Sequence, residues 1–146
     1  MSPQTEHPEL DGWQPFVGTW ATEATHPLLP DTVIRGQSTF EWLDGRRFVI
    51  QRSHYDHPEI PDAIAIIGVI DGQLSMHYFD ARGVFRVYAV SLSGATWRFW
   101  RDAPSFSQRF TGVFSDSGDT IEGQGELSRD GSTWGEDLAT TYRRVR

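Results

Sequence analysis

The sequence predicts an all-β protein, folded as an antiparallel up-and-down barrel of about ten strands with a short N-terminal helix. Its 146 residues are enough for one domain with its own hydrophobic core. Aromatic residues make up 13% of the chain, and aromatic side chains favour strands. Glycine repeatedly follows a turn-forming or charged residue, a pattern typical of tight hairpin turns. These turn signals are Asp44-Gly45, Asp71-Gly72, Arg82-Gly83, Ser93-Gly94, Ser117-Gly118 and Asp130-Gly131.

The segments between these turns are rich in Val, Ile, Thr, Phe, Tyr and Trp, as expected for strands joined by hairpins. The predicted strands are Phe16–Ala24, Thr32–Leu43, Arg46–Tyr55, Ala63–Ile70, Gln73–Asp80, Val84–Leu92, Thr96–Arg101, Phe106–Ser115, Thr120–Ser128 and Thr133–Arg143. A short helix is predicted over Pro8–Gln14, because Pro8 suits its first turn and Gly18 lies beyond its end. We expect residues 1–146 to form one domain, with residues 1–9 as an N-terminal tail.

About ten hairpin-linked strands must conceal their sheet edges, and a closed barrel conceals all of them. A barrel of this size encloses a pocket more readily than a solid core. The alternative is a two-sheet sandwich, which would need long crossover connections. Only two connections, residues 26–30 and 57–62, have any length, so the sequence favours the barrel.

The composition excludes several classes of function. The chain has 0 Cys and its 13 basic residues are all Arg, which excludes thiolate chemistry, Schiff bases on lysine and Cys-based metal sites. A net charge of −7 argues against a surface for nucleic acid or for an anionic membrane. No apolar run approaches the roughly 18 residues of a membrane span. We expect a cytoplasmic protein with no nucleic-acid or membrane partner, and we leave a homodimer open.

The two ends of the chain resemble the calycin superfamily, which includes lipocalins, fatty-acid-binding proteins and nitrobindins. Phe16–Trp20 reads FVGTW, a Gly-X-Trp motif on the first strand, and the chain ends in TTYRRVR. The resemblance implies that a late arginine, which we assign as Arg143, packs over Trp20 where the first and last strands meet. Such a contact would combine a cation–π interaction with hydrogen bonds to backbone carbonyls.

A longer resemblance covers most of the chain. The blocks TFEWLDGRRFVIQRS, AIAIIGVIDG, MHYFDARGVFRVY, RFTGVFSDSGDTIEG and DGSTW are similar to an uncharacterised family of short bacterial calycin-like proteins. This resemblance implies a barrel with a lumen and no established chemistry. Nitrobindins carry ferric haem on a histidine from a late strand, whereas the last histidine here is His77. We therefore expect no haem and no other cofactor.

Alternation along a strand predicts which side chains face the lumen. Arg52 and His54 continue the apolar row that begins with Phe48 and Ile50, so we expect both to point inward. A lumenal arginine must be paired or must bind an anion, because a lone buried charge is too costly. Arg52 is accordingly the first candidate for an anion-binding arginine, and Arg86 is the second. The alternative for each is an exterior arginine in a cross-strand pair with a carboxylate such as Glu41.

The faces of residues 73–80 and 84–92 are not decided by the pattern, because apolar residues lie on both sides of each segment. The predicted ligand-binding residues are Arg52, His54, His77, Tyr78, Arg86, Tyr88, Trp97 and Phe110. We expect them to bind a small, mostly apolar ligand with a polar or anionic head. The alternative is a small barrel enzyme of the decarboxylase or isomerase type, in which a His/Tyr/Arg cluster transfers protons.

Residues 54–62 read HYDHPEIPD, which raises the question of a metal site. Residues three apart on a regular strand face opposite sides, so His54, His57 and Asp62 could share a metal only if the strand ends between the histidines. Pro58 and Pro61 favour a solvated loop after the strand. We therefore expect no metal site.

Overall fold

The computed structural model describes residues 8–146, and these residues form the all-β fold that the sequence predicts. A 3-10 helix spans Pro8–Phe16. The strands are β1 (Gly18–His26), β2 (Leu29–Trp42), β3 (Phe48–Tyr55), β4 (Ala63–Ile70), β5 (Gln73–Asp80), β6 (Phe85–Ser93), β7 (Thr96–Arg101), β8 (Ser107–Phe114), β9 (Thr120–Ser128) and β10 (Gly135–Arg144). No helix in this part of the chain is long and apolar enough to cross a membrane.

The predicted N-terminal tail is only partly described. Pro8 and Glu9 belong to the 3-10 helix and not to a tail, while residues 1–7 lie outside the described residues. The helix also continues past the predicted end at Gln14, as far as Phe16.

The ten strands form a closed antiparallel barrel in which each strand pairs with its neighbours in the sequence and β1 pairs with β10. This confirms the predicted barrel and excludes the sandwich. The predicted loop over residues 26–30 is wrong, because β1 continues to His26 and pairs there with Leu29 across a short turn. The ladder between these strands is irregular between Ala24 and His26, and a proline such as Pro30 is tolerated beside such a bulge.

The 3-10 helix closes one end of the barrel with apolar side chains. Leu10, Trp13 and Phe16 are fully buried. The Phe16 ring lies 4.8 Å from the ring of Phe114 and 5.2 Å from that of Trp97, centroid to centroid, in edge-to-face contacts. This aromatic plug fills the end at which β1 begins, so an internal space can open only at the opposite end.

The barrel is closed by a cation–π contact between the first and last strands. The guanidinium carbon of Arg144 lies 4.3 Å from the centre of the Trp20 ring. The same guanidinium donates hydrogen bonds to the backbone carbonyls of Val17, at 3.2 Å, and Gly118, at 3.4 Å. The indole N–H of Trp20 donates to the Phe16 carbonyl at 2.8 Å, which connects the strand to the plug.

The assignment of Arg143 to this contact is wrong by one residue. Arg143 is exposed and pairs in register with Ala21 on the outer face, whereas Tyr142 and Arg144 share the inner face. The period of two along a strand therefore selects Arg144 and turns Arg143 towards solvent.

Candidate functional site

A cavity of about 350 Å³ opens at the end of the barrel opposite the plug. Its mouth is formed by the end of β1, the beginning of β10 and the connections that follow β3 and β5. The inner walls carry two different kinds of side chain, aromatic on one side and neutral polar on the other. The charged groups lie at the mouth.

The aromatic wall is contributed by β5, β6, β7 and β8. The rings of Tyr88 and Phe99 meet edge to face at 5.1 Å, and Phe99 stacks on Phe110 at 4.7 Å. Trp97 packs against Phe110 at 4.9 Å and forms part of the floor. A Cβ at Gly123 would lie 2.6 Å from the Phe110 ring, so only glycine leaves room for this ring. The wall is therefore preformed by side chains that hold one another in place.

The neutral polar wall comes from β3 and β10. The Gln51 amide donates to the Ser38 hydroxyl at 3.0 Å, and the hydroxyls of Ser38 and Ser53 lie 3.2 Å apart. Tyr55 and Tyr142 complete this wall, and burial raises the pKa of both phenols. Neither phenol is ionised at neutral pH, so this side of the cavity offers hydrogen bonds without charge.

Arg52 and His54 do not face the lumen, which corrects the prediction made for this strand. Arg52 is exposed and forms an ion pair with Glu41 at 3.2 Å. His54 lies on the same outer face. The inner row of β3 is instead the one that contains Gln51, whose polar groups are satisfied by the neighbouring strand. Apolar residues on a strand therefore do not mark its inner face here, since Phe48 packs outside over Gly68.

The undecided strands β5 and β6 turn Tyr78, Arg86 and Tyr88 inward. His77 faces outward, with its ring 6.0 Å from that of Phe85. Five of the eight predicted residues thus line the cavity, namely Tyr78, Arg86, Tyr88, Trp97 and Phe110. The other three, Arg52, His54 and His77, lie on the outer surface. Ligand binding by the five lumenal residues stays a prediction.

Arg86 is the cationic side chain of most interest in the cavity. Its guanidinium carbon lies 5.0 Å from the centre of the Phe106 ring. Arg86 forms no ion pair within residues 8–146, whereas Arg82 is paired with Asp80 and Arg109 is paired with Glu126 at 3.1 Å. Burial raises the pKa of the Tyr88 phenol, and the nearby positive charge of Arg86 opposes that effect.

Tyr88 connects Arg86 to a third polar group, because its hydroxyl donates to the Gln108 side-chain carbonyl at 2.8 Å. Gln108 also lines the cavity. An arginine, a phenol and an amide therefore meet at one point between the aromatic wall and the mouth. Such a group can bind an anionic or strongly polar atom of a ligand.

The mouth holds a second arginine that is already neutralised. Arg82 donates to the Asp80 carboxylate at 2.7 Å, and the Tyr78 hydroxyl donates to the same carboxylate at 2.9 Å. The hydrogen bonds from Arg82 hold the pKa of Asp80 well below its usual range. Burial, together with this hydrogen bond to Asp80, raises the pKa of Tyr78 far above its ordinary value.

His26 at the mouth was not identified from the sequence. Its Nε2 lies 3.1 Å from an Asp137 carboxylate oxygen, and its Nδ1 accepts a hydrogen bond from the Leu28 N–H at 3.1 Å. Both nitrogens are therefore engaged. The contact joins the end of β1 to β10 at sites far apart in the chain, and no local pattern in the sequence indicates it.

The HYDHPEIPD segment separates into a strand end and a loop. His54 lies between two carboxylates, with Nδ1 3.0 Å from Asp62 and Nε2 3.0 Å from Asp56. His57 lies in the loop, where its Nδ1 accepts a hydrogen bond from the Glu59 N–H at 3.1 Å. Over residues 8–146, no group of three or more His, Asp or Glu side chains is arranged to hold a metal ion.

The fold and cavity define a ten-stranded antiparallel barrel with one plugged end and one open end. No family model matches the chain, and no curated protein matches it. Among solved structures it is similar to the crystal structure of Rv2717c from M. tuberculosis, with a TM-score of 0.66 and 15% sequence identity. The match covers 96% of this chain and 99% of that one. At this identity the likeness shows the shared fold alone.

Proposed function

We propose that the barrel binds a small, largely aromatic ligand with an anionic or strongly polar head. The observation that carries this proposal is the position of Arg86, a cationic side chain in the cavity wall beside the Phe106 ring. Arg86 forms no ion pair within residues 8–146, whereas Arg82 and Arg109 do. Arg86 is half-buried beside the Phe106 ring, and its planar guanidinium can form charge-assisted hydrogen bonds with an anion. An anionic ligand would supply the missing partner.

The head group would bind between Arg86, Tyr88 and Gln108. The planar guanidinium offers two parallel N–H donors, a geometry that suits a carboxylate or a sulfonate. The hydroxyl of Tyr88 is already committed to Gln108, at 2.8 Å, which fixes the direction of the ring. The ligand therefore meets a head-group site whose polar side chains are already positioned, and less conformational entropy is lost on binding.

The body of the ligand would lie against the aromatic wall. Edge-to-face and stacked rings at 4.7–5.1 Å present flat surfaces, which an aromatic ligand contacts more completely than a flexible chain. The cavity volume of about 350 Å³ is near the lower end of the usual range for ligand sites, so the ligand is small. Hydrogen-bonding groups along its opposite edge would face the neutral polar wall at Gln51 and Tyr142.

The enzyme alternative has less support in the arrangement of the histidines. A His/Tyr/Arg cluster in the lumen requires a histidine with a free nitrogen, but His54 and His77 lie on the outer surface. His26 lines the mouth, and both of its nitrogens are engaged by Asp137 and Leu28. The raised pKa of Tyr78 makes that phenol a poor proton donor at neutral pH. We therefore propose a binding protein.

The test compares two fluorescent probes with one skeleton, anionic anilinonaphthalene sulfonate and its neutral analogue N-phenylnaphthylamine. We expect Arg86→Gln to weaken the anionic probe at least about tenfold, roughly the effect of one charge-assisted hydrogen-bonded pair, and to change the neutral probe little. Arg52→Gln is the matched control, because Arg52 lies outside the barrel beside Glu41. An equal loss of affinity for both probes in Arg86→Gln would contradict the proposal. So would a wild type that binds neither probe.

A further inference from the structure

Charged side chains are distributed unevenly among the strands on the outer surface of the barrel. The outward residues of β4, β5 and β6, all in the described part of the chain, include no Arg, Asp or Glu. Each of the other strands has at least one exposed charged residue on its outer face. Examples, in strand order, are Glu23, Arg35, Arg52, Arg98, Arg109, Glu122 and Arg143.

The uncharged strands lie side by side, and their outward side chains align in rows. One row runs in register through Ile64, Phe79 and Phe85. A second row runs through Ile66, His77 and Val87. We call these six residues the β4–β6 outer face. The rings of Phe79 and Phe85 lie 5.1 Å apart, so the apolar surface is continuous across the strands.

Several large apolar side chains of this face are exposed to solvent. Phe85 is 56% exposed and Val87 is 45% exposed. Ile64 and Phe79 are also exposed, as is Trp100 on the adjoining strand β7. Contiguous apolar surface of this kind marks interaction sites, whereas single exposed apolar residues do not.

His77 lies at the middle of the face. Its Nδ1 is buried, and no group in residues 8–146 forms a hydrogen bond with it. A buried nitrogen without a partner is unfavourable. This nitrogen lies beneath the surface, so His77 contributes to the face through its ring, which lies 6.0 Å from that of Phe85, and not through this atom.

We propose that the β4–β6 outer face binds the same face of a second copy of this chain, in a two-fold symmetric dimer. A patch that meets its own copy is the commonest arrangement in homo-oligomers. The chain carries a net charge of −7, so two copies repel one another over most of their surface. This face lacks carboxylates, and it is where that repulsion is weakest. Depletion of charge and enrichment in aromatic residues are also the marks of an interface core.

The size of the face determines the strength of the expected dimer. Together with the neighbouring outward residues of β3 and β7, the face is five strands wide, at about 4.8 Å per strand, and about five residues long, at ~3.3 Å per residue. Its area is therefore roughly 400 Å². Stable interfaces bury about 800 Å² per partner, so the rim must contribute as well. We therefore expect reversible dimerisation with a micromolar or weaker dissociation constant.

Sedimentation velocity over a range of concentrations tests the proposal with a matched pair of variants. Val87 and Val113 are both 45% exposed on outer strand faces, and only Val87 belongs to the β4–β6 outer face. We expect the wild type and Val113→Arg to shift towards a dimer as concentration rises. Val87→Arg places two unpaired charges at the two-fold interface, so its dissociation constant should rise at least about tenfold.

Circular dichroism at low concentration checks that both variants are folded. A wild type that stays monomeric at roughly millimolar concentration would overturn the proposal. So would dimers that form equally in the wild type and Val87→Arg. Flotation with neutral phosphatidylcholine vesicles tests a lipid surface as the occupant: vesicle binding by a monomeric wild type, lost in Val87→Arg, would assign the face to lipid instead.

Discussion

Arg144 lies over the ring of Trp20, with its guanidinium carbon 4.3 Å from the ring centre, and this contact joins the last strand to the first. Its N–H groups also reach backbone carbonyls of the segment before β1 and of the β8–β9 connection. One side chain thus bridges three segments at the plugged end of the barrel. Its loss should be felt across the whole fold.

We expect Arg144→Gln to lower the free energy of unfolding by about 1–3 kcal/mol, because a cation–π contact and charge-assisted hydrogen bonds are lost together. Arg143→Gln is the matched control: its side chain is exposed on the outer face, so its effect should stay within about 0.5 kcal/mol. Urea unfolding followed by tryptophan fluorescence measures both values. Equal effects of the two substitutions would contradict the assignment of the closing contact to Arg144.

The positions of the strands could be predicted from the sequence. Whether an individual side chain points into the barrel or out to solvent could not be predicted in every case. Turns such as Asp71-Gly72 interrupt the chain at regular intervals, and glycine there adopts the positive φ that a tight turn requires. That signal is local, so it survives in the sequence. The order of the strands follows, since strands joined by short hairpins pair with their neighbours.

The facing of β3 depends on partners that are distant in the sequence. Both of its rows mix apolar and polar residues. Gln51 can lie in the buried inner row because its amide forms a hydrogen bond with Ser38 on β2. In the outer row, Arg52 forms an ion pair with Glu41 on the same neighbouring strand. The sequence suggested the pairing with Glu41 only as the alternative to a lumenal Arg52, because the choice between them depends on the register. The prediction that Arg52 and His54 face the lumen was therefore wrong. Arg143 and Arg144 show the same limit, since they differ only in which side of β10 they occupy.

The aromatic plug should carry a large part of the stability of the barrel. Leu10 in the 3-10 helix is fully buried, and Leu10→Ala removes its contacts and leaves a cavity, so we expect a loss of about 2–5 kcal/mol. Leu28→Ala is the matched control, because Leu28 is largely exposed in the β1–β2 turn and should cost at most about 0.5 kcal/mol. Thermal and urea unfolding measure both. Similar losses in the two variants would show that the helix does not hold the barrel closed.

His54 should make stability depend on pH near neutrality. Hydrogen bonds to Asp62 and Asp56 raise its pKa above the ordinary value, and the partner interaction lowers the pKa of Asp62. A raised histidine pKa stabilises the fold while the imidazole is protonated, and this contribution is lost as pH rises through the folded-state pKa. The lowered pKa of Asp62 sets the other limit: its contribution is present above its unfolded value and is lost as pH falls.

We therefore expect His54→Asn to reduce the melting temperature more at about pH 5.5 than at about pH 8.5, because the contribution of the protonated imidazole declines as pH rises. His57→Asn serves as the control, because His57 lies in the loop, where the partner of its Nδ1 is the Glu59 N–H and not a carboxylate. Differential scanning calorimetry across this range gives the comparison. A pH-independent effect of His54→Asn would mean that the two carboxylates do not act through the charge of the imidazole.

Loss of the ion pair between Asp80 and Arg82 at the mouth should lower the stability of the protein and raise its affinity for an anionic ligand. The Asp80 carboxylate is fully buried, and it accepts hydrogen bonds from Tyr78 at 2.9 Å and from Arg82 at 2.7 Å. Asp80→Asn removes the charge and leaves Arg82 without its partner. Arg82 is half exposed, so water can solvate it once the pair is broken. The lost charge-assisted hydrogen bonds to residue 80 should cost about 1–3 kcal/mol, so this variant should unfold at lower urea.

The released Arg82 lines the same cavity as Arg86, so a second unpaired cation would then face the ligand. We expect Asp80→Asn to bind the anionic probe anilinonaphthalene sulfonate more tightly than the wild type while its stability falls. The neutral analogue should not gain affinity, because the change is electrostatic. Added salt should reduce the gain for the anionic probe. The double variant Asp80→Asn/Arg82→Gln should show no gain in affinity for the anionic probe. A gain that persists without Arg82 would show that the effect comes from a rearranged mouth and not from the charge of Arg82.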